Sequence, residues 1–156
     1  MSATIVEPHK SSIGNLDANV MALLAYLATG ILMYIPYIKY VAWLAPLVLF
    51  FLEKQSGFVR FHAMQAFILN AVNFLLTALI GGIIIASITA AAQRAQTWED
   101  VGATLAGVGI INTIVIIISL VITIFAIVAL VKAYKYQLYK MPLIGKLAAK
   151  FSGQAA

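Results

Sequence analysis

Four apolar runs dominate this sequence, and they constrain its fold more than any motif does. The two longest lie at about 61–92 and 101–131, and two shorter runs lie at about 20–35 and 40–52. A bilayer core about 30 Å thick requires about 20 predominantly apolar residues per helical span. Because 63% of the residues are hydrophobic and only 10% are charged, the chain cannot cover itself with polar surface as a water-soluble monomer does. The runs predict an all-α, polytopic integral membrane protein with four transmembrane helices.

The two shorter runs are joined by a turn. Residues 20–52 are interrupted only by Lys39, and no straight helix of that length fits a bilayer. Pro36 lacks a backbone N–H and disfavours helix at the preceding residue, so we expect a tight turn at 36–39 between two antiparallel spans. A re-entrant hairpin is the alternative. The third and fourth helices exceed the required length and should tilt or extend beyond the membrane surface.

The distribution of lysine and arginine predicts the orientation in the cell membrane. With four spans, eight basic residues lie on the side of both termini and two lie on the other side. Because such an excess is retained in the cytoplasm, we expect cytoplasmic N- and C-termini. Residues 1–19 lack the dense basic region of a signal peptide and are expected to form a partly disordered cytoplasmic tail. Residues 20–131 would form the transmembrane domain, and residues 132–156 a basic interfacial segment.

The C-terminal segment has the pattern of a helix that lies on a membrane. Leu143, Leu147 and Phe151 recur every four residues and predict a short amphipathic helix on the cytoplasmic leaflet. Because the segment follows a span directly, anionic lipid is the expected partner rather than nucleic acid, and a docked protein is the alternative. The side chains expected to contact lipid headgroups are Lys132, Lys135, Lys140, Lys146 and Lys150.

Uncharged polar side chains form a stripe along each of the two long helices. The stripes contain His62, Asn73, Thr77 and Ser87, flanked by Gln65 and Asn70, on the third helix, and Asn112, Ser119 and Thr123 on the fourth. In lipid a polar side chain should turn toward protein or water, so the two stripes are expected to face each other. They would act as interhelical hydrogen bonds worth about 0.6 kcal/mol each. A polar groove or narrow pore is the alternative.

The chemistry-bearing residues are too sparse for an ordinary enzyme. No charged residue lies deep in a predicted span, the chain has two histidines and no cysteine, and no HExxH, GxSxG or Walker pattern occurs. We therefore expect no enzymatic activity, no metal and no cofactor. His62 lies near the cytoplasmic start of the third helix, where it would hydrogen-bond backbone atoms or, alternatively, sense pH.

Two short motifs carry a family resemblance. The first is Phe58–Ala66, FVRFHAMQA, and the second combines Ala133 and Tyr139 with the sequence PLIG at residues 142–145. Together they resemble bacterial membrane proteins related to the Tic twenty-kilodalton component of the chloroplast protein-import translocon, although that family commonly has glycine at Tyr136. The motif positions implied by the resemblance are Arg60, Phe61, His62, Gln65, Tyr139, Pro142 and Gly145. Both motifs fall on the cytoplasmic side, so we expect them to meet in one site.

The resemblance implies a scaffold or translocation-type component that handles polypeptide at a membrane. Four helices are too few for a roomy monomeric channel, so such a component would act as a homo-oligomer or with a partner membrane protein. A small transporter or channel for a neutral solute, using the polar stripes, is the alternative. An enzyme acting on lipid headgroups has little support, because the spans contain no acid–base pair.

Overall fold

The computed structural model describes residues 4–154, and this part of the chain is mostly helical. It contains two paired two-residue strands and five α-helices. The elements are β1 (Thr4–Ile5), α1 (Ala18–Leu32), α2 (Ala45–Leu52), α3 (Gly57–Arg94), α4 (Trp98–Tyr134), β2 (Gln137–Leu138) and α5 (Ile144–Ser152).

The two long helices are present and extend a few residues beyond their predicted bounds. α3 has 38 residues and α4 has 37, which at a rise of 1.5 Å gives lengths of about 57 and 56 Å. Both are long and apolar enough to cross a membrane. Thr97 and Asp100 cap the start of α4: the Thr97 hydroxyl accepts from the Asp100 N–H at 3.2 Å, and the Asp100 carboxylate accepts from the Thr97 N–H at 3.0 Å.

The two shorter apolar runs form less helix than predicted, so the prediction of four spanning helices is not confirmed. α1 has 15 residues and α2 has eight, which corresponds to about 23 and 12 Å. Between them the chain forms two 3₁₀ turns, at Ile38–Tyr40 and Ala42–Leu44. The predicted run at 40–52 therefore becomes regular helix only from Ala45, and Pro46 lies in its first turn, where a missing N–H costs nothing.

The N-terminal segment is packed, which corrects the expectation of a partly disordered tail for its described part. β1 pairs antiparallel with β2, with Thr4 opposite Leu138 and Ile5 opposite Gln137. Residues 1–3 of the predicted tail lie outside the described residues. Because β2 directly follows α4, the pairing places the N-terminal segment beside the beginning of the C-terminal segment.

The described residues divide into two compact units. The first, called the packed unit below, comprises residues 4–71 and 124–154. Its core joins Ala18, Ala22 and Ala25 of α1 to Phe58 and Phe61 of α3. The second, called the helical unit, comprises Val72–Thr123, and most of its apolar side chains are exposed. An exposed apolar surface of this extent requires lipid or another protein around it.

Candidate functional site

The first turns of α3 place His62 and Gln65 in the interior of the packed unit. Both side chains are 0% exposed. Since residues three apart lie on one face of a helix, the two side chains point toward the same neighbours. Those neighbours are Tyr26 of α1 and the backbone of residues 137–141, which follows α4.

Gln65 connects α3 to the C-terminal segment through both ends of its amide. Its Nε2 donates to the Tyr139 carbonyl oxygen at 3.1 Å and to the Tyr26 hydroxyl at 3.0 Å. Its Oε1 accepts from the Met141 N–H at 3.2 Å. A buried backbone group needs a hydrogen-bond partner, and the stretch around Tyr139 and Met141 has none from a regular strand or helix. The Gln65 side chain supplies these partners instead.

The partners of His62 determine its tautomer. Nε2 lies 3.2 Å from the Gln137 carbonyl oxygen, which can only accept, so Nε2 carries the proton. Nδ1 then accepts from the Tyr26 hydroxyl at 3.1 Å. His62 is thus a neutral Nε2–H imidazole with both ring nitrogens occupied. It has no free nitrogen for acid–base work, and the geometry favours the structural interpretation of this residue over the pH sensor.

Aromatic rings enclose the His62 imidazole. The rings of Phe58 and Phe61 meet it edge-on at centroid distances of 4.6 and 5.1 Å. Tyr136 stacks on Phe58 at 5.7 Å and has a φ of 55°, in the left-handed region that favours glycine. Tyr136 therefore adopts an unfavourable backbone conformation but gains a stacked ring. Its hydroxyl also donates to the His9 carbonyl at 3.4 Å.

The turn at residues 140–145 requires a glycine. A Cβ built on Gly145 would lie 2.7 Å from the Lys140 Cα and carbonyl carbon, which are backbone atoms that cannot move aside. Pro142 begins the turn, and its carbonyl accepts from the Ile144 N–H at 2.8 Å. Of the motif residues, Tyr139 contributes its backbone carbonyl, while Gly145 allows the close approach of the chain.

Arg60 does not join this network. Its guanidinium lies over the Phe50 ring, 4.7 Å from the centroid, which is a cation–π contact. Its Nε is buried and has no hydrogen-bond partner among residues 4–154. The structure therefore brings Phe61, His62, Gln65, Tyr139 and Gly145 around one buried network and leaves Arg60 at its margin.

A second polar cluster surrounds Glu53, in the loop between α2 and α3. The carboxylate is 1% exposed and accepts from the hydroxyls of Ser11 and Ser12 and from the N–H groups of Gln55 and Ser56. Burial alone would raise the pKa of this carboxyl. The hydrogen bonds, from Ser11 first, outweigh it and lower the pKa to about 2. Glu53 thus fixes the N-terminal segment to the loop.

Within residues 4–154, the polar stripes of α3 and α4 do not hydrogen-bond to each other. Asn70 donates to the Thr29 hydroxyl of α1 at 2.7 Å. Thr77 and Thr123 donate to the carbonyls four residues earlier in their own helices, both at 2.8 Å. Asn73, Asn112 and Ser119 have no hydrogen-bonded side chain within residues 4–154. The expectation that the stripes bond to each other is therefore wrong for Asn70, Thr77 and Thr123, because their polar groups find nearer partners.

No site for a metal ion is apparent in the part of the chain that the structure describes. Within residues 4–154, no three His, Asp or Glu side chains come together. The C-terminal lysines differ in exposure: Lys135, Lys146 and Lys150 are exposed, and Lys132 and Lys140 are half-buried.

Sequence reasoning missed Tyr26, Thr29, Glu53 and the carbonyl of Gln137. A backbone carbonyl has no sequence signature, and Tyr26 lies within an apolar run, where nothing in the sequence distinguishes it from a residue that contacts lipid. Glu53 did offer a signal, because it is a lone carboxylate directly after an apolar run on the basic side of the chain.

The chain matches known proteins over nearly its whole length. The model of the MamF/MmsF family, described as the magnetosome magnetite crystal formation protein family, matches residues 17–148. UPF0132 membrane protein MJ1443 of Methanocaldococcus jannaschii is 34% identical over 146 residues, which is 92% of this chain and 94% of that protein. UPF0132 membrane protein MJ1527 of the same organism is 32% identical over 136 residues, or 87% and 71%. No solved structure matches.

These matches correct the resemblance stated from the two motifs. Both motifs lie inside the matched residues 17–148, and neither the family nor the two relatives are named as import components. The Tic relationship is therefore wrong, because motifs of a few residues at helix ends do not distinguish one family of small membrane proteins from another. The names of the relatives and the two long apolar helices identify a membrane protein. The chain belongs to the MamF/MmsF family.

Proposed function

We propose that this protein is a non-enzymatic scaffold of the cell membrane, with cytoplasmic termini, that assembles as a homo-oligomer through its helical unit, Val72–Thr123. The observation that carries the proposal is Asn112. This residue lies in α4, its side chain is exposed, and its amide has no hydrogen-bond partner among the described residues. An unsatisfied polar group in hydrocarbon costs several kcal/mol, and the same residue of a second copy would supply a partner.

Three glycines of α4 support close approach of another helix. At Gly102, Gly107 and Gly109, a built Cβ would meet nothing within 4 Å. Small residues at a helix surface allow two backbones to come together and gain van der Waals contact, which drives helix association in lipid. The open surface around these glycines and the amide of Asn112 lie on the same helix.

The contacts of the packed unit are consistent with a non-enzymatic role. Its buried network leaves no nucleophile or base free, and the Glu53 cluster and the β1–β2 pair fix the N-terminal segment. The lysine excess on the side of both termini supports their cytoplasmic placement.

The printed description of the family concerns magnetite crystal formation in magnetosomes. A scaffold is compatible with that description, because a membrane oligomer presents one surface many times to whatever assembles on it. The alternative of a channel for neutral solutes is less favoured, because the hydroxyls of Thr77 and Thr123 already bond to their own helices and offer little to a passing solute.

Cysteine crosslinking tests the oligomer, because the chain has no cysteine of its own. We expect Asn112→Cys to form crosslinked dimers in native membranes at low oxidant concentration. Ile114→Cys is the matched control: Ile114 is 52% exposed, and two residues along a helix point in nearly opposite directions. It should crosslink far less.

A second measurement tests the role of the amide itself. Asn112→Leu should raise the dissociation constant of the oligomer about 3- to 30-fold, which corresponds to a lost hydrogen bond of about 0.6–2 kcal/mol. Energy transfer between labelled copies in vesicles, at several ratios of protein to lipid, gives this constant. A protein that stays monomeric at every ratio would exclude the proposal, and solute flux that Asn73→Leu abolishes would favour the channel.

A further inference from the structure

α5 (Ile144–Ser152) has one face packed and one face open. Gly145, Ala148, Ala149 and Ser152 are buried, and the two alanines pack in the core cluster that contains Phe61 and Met64. The opposite face presents Leu147 and Phe151, which are 49% and 58% exposed, beside the exposed Lys146 and Lys150. The small residues of α5 therefore face the protein, and its large apolar side chains face away from it.

The turn directly before α5 exposes a third large apolar side chain. Leu143, directly before α5, has φ 65° and ψ −56°, and the Ile144 N–H donates to the Pro142 carbonyl at 2.8 Å. This is a γ-turn of the hand that is rare and strained for residues other than glycine. The turn leaves the Leu143 side chain 90% exposed. The Leu143 side chain therefore faces the environment of the protein rather than its core.

The charge around this face indicates what that environment is. The sequence has no acidic residue after Asp100, so the lysines of the C-terminal segment have no carboxylate near them in sequence. Among residues 4–154, the acidic groups of the N-terminal half are partly engaged: Glu53 is buried, and Asp17 pairs with Lys10 at 2.7 Å. Exposed apolar side chains with unpaired lysines on the neighbouring face match the boundary between acyl chains and anionic headgroups.

We propose that Leu143, Leu147 and Phe151 insert into the headgroup–acyl boundary of an anionic leaflet, where Lys146 and Lys150 contact lipid phosphates. The leaflet is the one on the side of the two termini. The inference concerns a different surface from the helical unit and does not depend on oligomer formation. The proposal reduces the number of lysines expected to contact headgroups from five to two, Lys146 and Lys150, which lie beside the exposed stripe.

A spin label at a single cysteine tests the insertion in the full chain. Leu147→Cys, labelled and reconstituted in vesicles, should collide with oxygen more often than with a water-soluble nickel complex. The preference should grow when anionic lipid is added to zwitterionic lipid. Lys54→Cys is the matched control, because Lys54 is exposed on the loop after α2, and its label should remain accessible to the nickel complex in both lipids.

Two kinds of variant separate the charges from the apolar side chains. Lys146→Gln and Lys150→Gln should each lower the ratio of inserted to non-inserted label about fivefold in anionic vesicles and have no effect in zwitterionic ones. Leu143→Gly keeps the positive φ while it removes the side chain. It should make the label at position 147 shallower without lowering the midpoint of thermal unfolding.

Two results would overturn the proposal. One is a label at position 147 that stays accessible to the nickel complex in both kinds of vesicle. The other is a label whose protection depends on the ratio of protein to lipid and not on anionic lipid, which would assign the face to a protein partner. In either case Asn112 crosslinking could still succeed, so the oligomer proposal would stand or fall separately.

Discussion

At the scale of single residues, the direction of each hydrogen bond around His62 is determined by its neighbours. The Met141 N–H donates to the Gln65 amide oxygen, and the Gln65 amide nitrogen donates to the Tyr26 hydroxyl. Tyr26 donates to the His62 imidazole, which in turn donates to the Gln137 carbonyl. A second proton on His62 would turn Nδ1 into a donor facing a hydroxyl that already needs an acceptor. The network therefore has one consistent arrangement, with the imidazole neutral.

Substitution of His62 should separate hydrogen bonding from bulk. His62→Leu leaves the Tyr26 hydroxyl and the Gln137 carbonyl without partners, and each unsatisfied buried group costs about 1–3 kcal/mol. His62→Gln retains one acceptor and one donor and should lose less stability. Thermal unfolding in detergent, followed by circular dichroism, gives both values. Equal losses for the two variants would show that only the volume of the ring matters.

Because of Glu53, the free energy of unfolding should depend on pH in the acidic range. The pKa of its carboxyl is about 2 in the folded chain and near 4.5 in a free carboxyl. A lowered folded pKa stabilises the protein fully above the unfolded value, and that stabilisation is lost as pH falls from about 4.5 to about 2. We expect the unfolding midpoint to fall over this range in the wild-type chain. Glu53→Gln should unfold more easily at pH 7 and show a flatter profile, and an unchanged profile would contradict this role.

The motif residues were predictable from the sequence, but their partners were only partly so. The spacing of His62 and Gln65 indicated a shared face, and the second motif indicated the segment that they meet. The specific acceptors are the carbonyls of Gln137 and Tyr139, and every residue has a carbonyl. The path of the backbone after α4 determines which carbonyl can accept from a side chain of α3. Hydrophobic periodicity does not indicate that path.

At the scale of elements, Thr29 joins the α1–α2 hairpin to α3. Its hydroxyl donates to the Ala42 carbonyl at 3.2 Å, across the two 3₁₀ turns, and accepts from the Asn70 amide at 2.7 Å. Thr29 is 7% exposed, so water cannot replace these bonds easily. The hairpin thus depends on one side chain that is shared between three segments.

Thr29→Val should loosen the hairpin while it keeps the shape of the side chain. The Asn70 amide and the Ala42 carbonyl lose a partner, and we expect a loss of about 1–3 kcal/mol in the free energy of unfolding. The control is Thr77→Val, which removes a hydroxyl that bonds only within its own helix and should cost little. Denaturant unfolding compares the two. Similar losses at both positions would mean that the hairpin is held by apolar contacts alone.

The long helices were easier to predict than the short ones for a physical reason. A predominantly apolar run of more than 30 residues without proline can form only a helix in lipid, so α3 and α4 followed from composition and length. The run at 20–52 contains two prolines, and its helical bounds depend on tertiary bonds such as Thr29 to Ala42. Those bonds satisfy the backbone of the 3₁₀ turns, which a local pattern cannot reveal.

At the scale of the whole molecule, the proposed orientation predicts opposite compartments for the two ends of α3. Trp98 is 90% exposed in the first turn of α4, just beyond the end of α3, and Lys54 is exposed just before α3. We expect a membrane-impermeant maleimide to label Trp98→Cys in intact cells and Lys54→Cys only after permeabilisation. Labelling of Lys54→Cys alone in intact cells would reverse the orientation. Labelling of both would show that α3 does not cross.

The β1–β2 pair has a consequence for biosynthesis. Ile5 leaves the ribosome 132 positions before its partner Gln137. At about 5–20 residues per second, β1 waits about 7–26 s for its complement. Throughout that interval the first strand has an unpaired edge, and both α3 and α4 are synthesised before its partner appears. Translation of residues 137 and 138 therefore completes the pairing of β1, and a nascent chain stalled before residue 137 would leave that strand open to proteases.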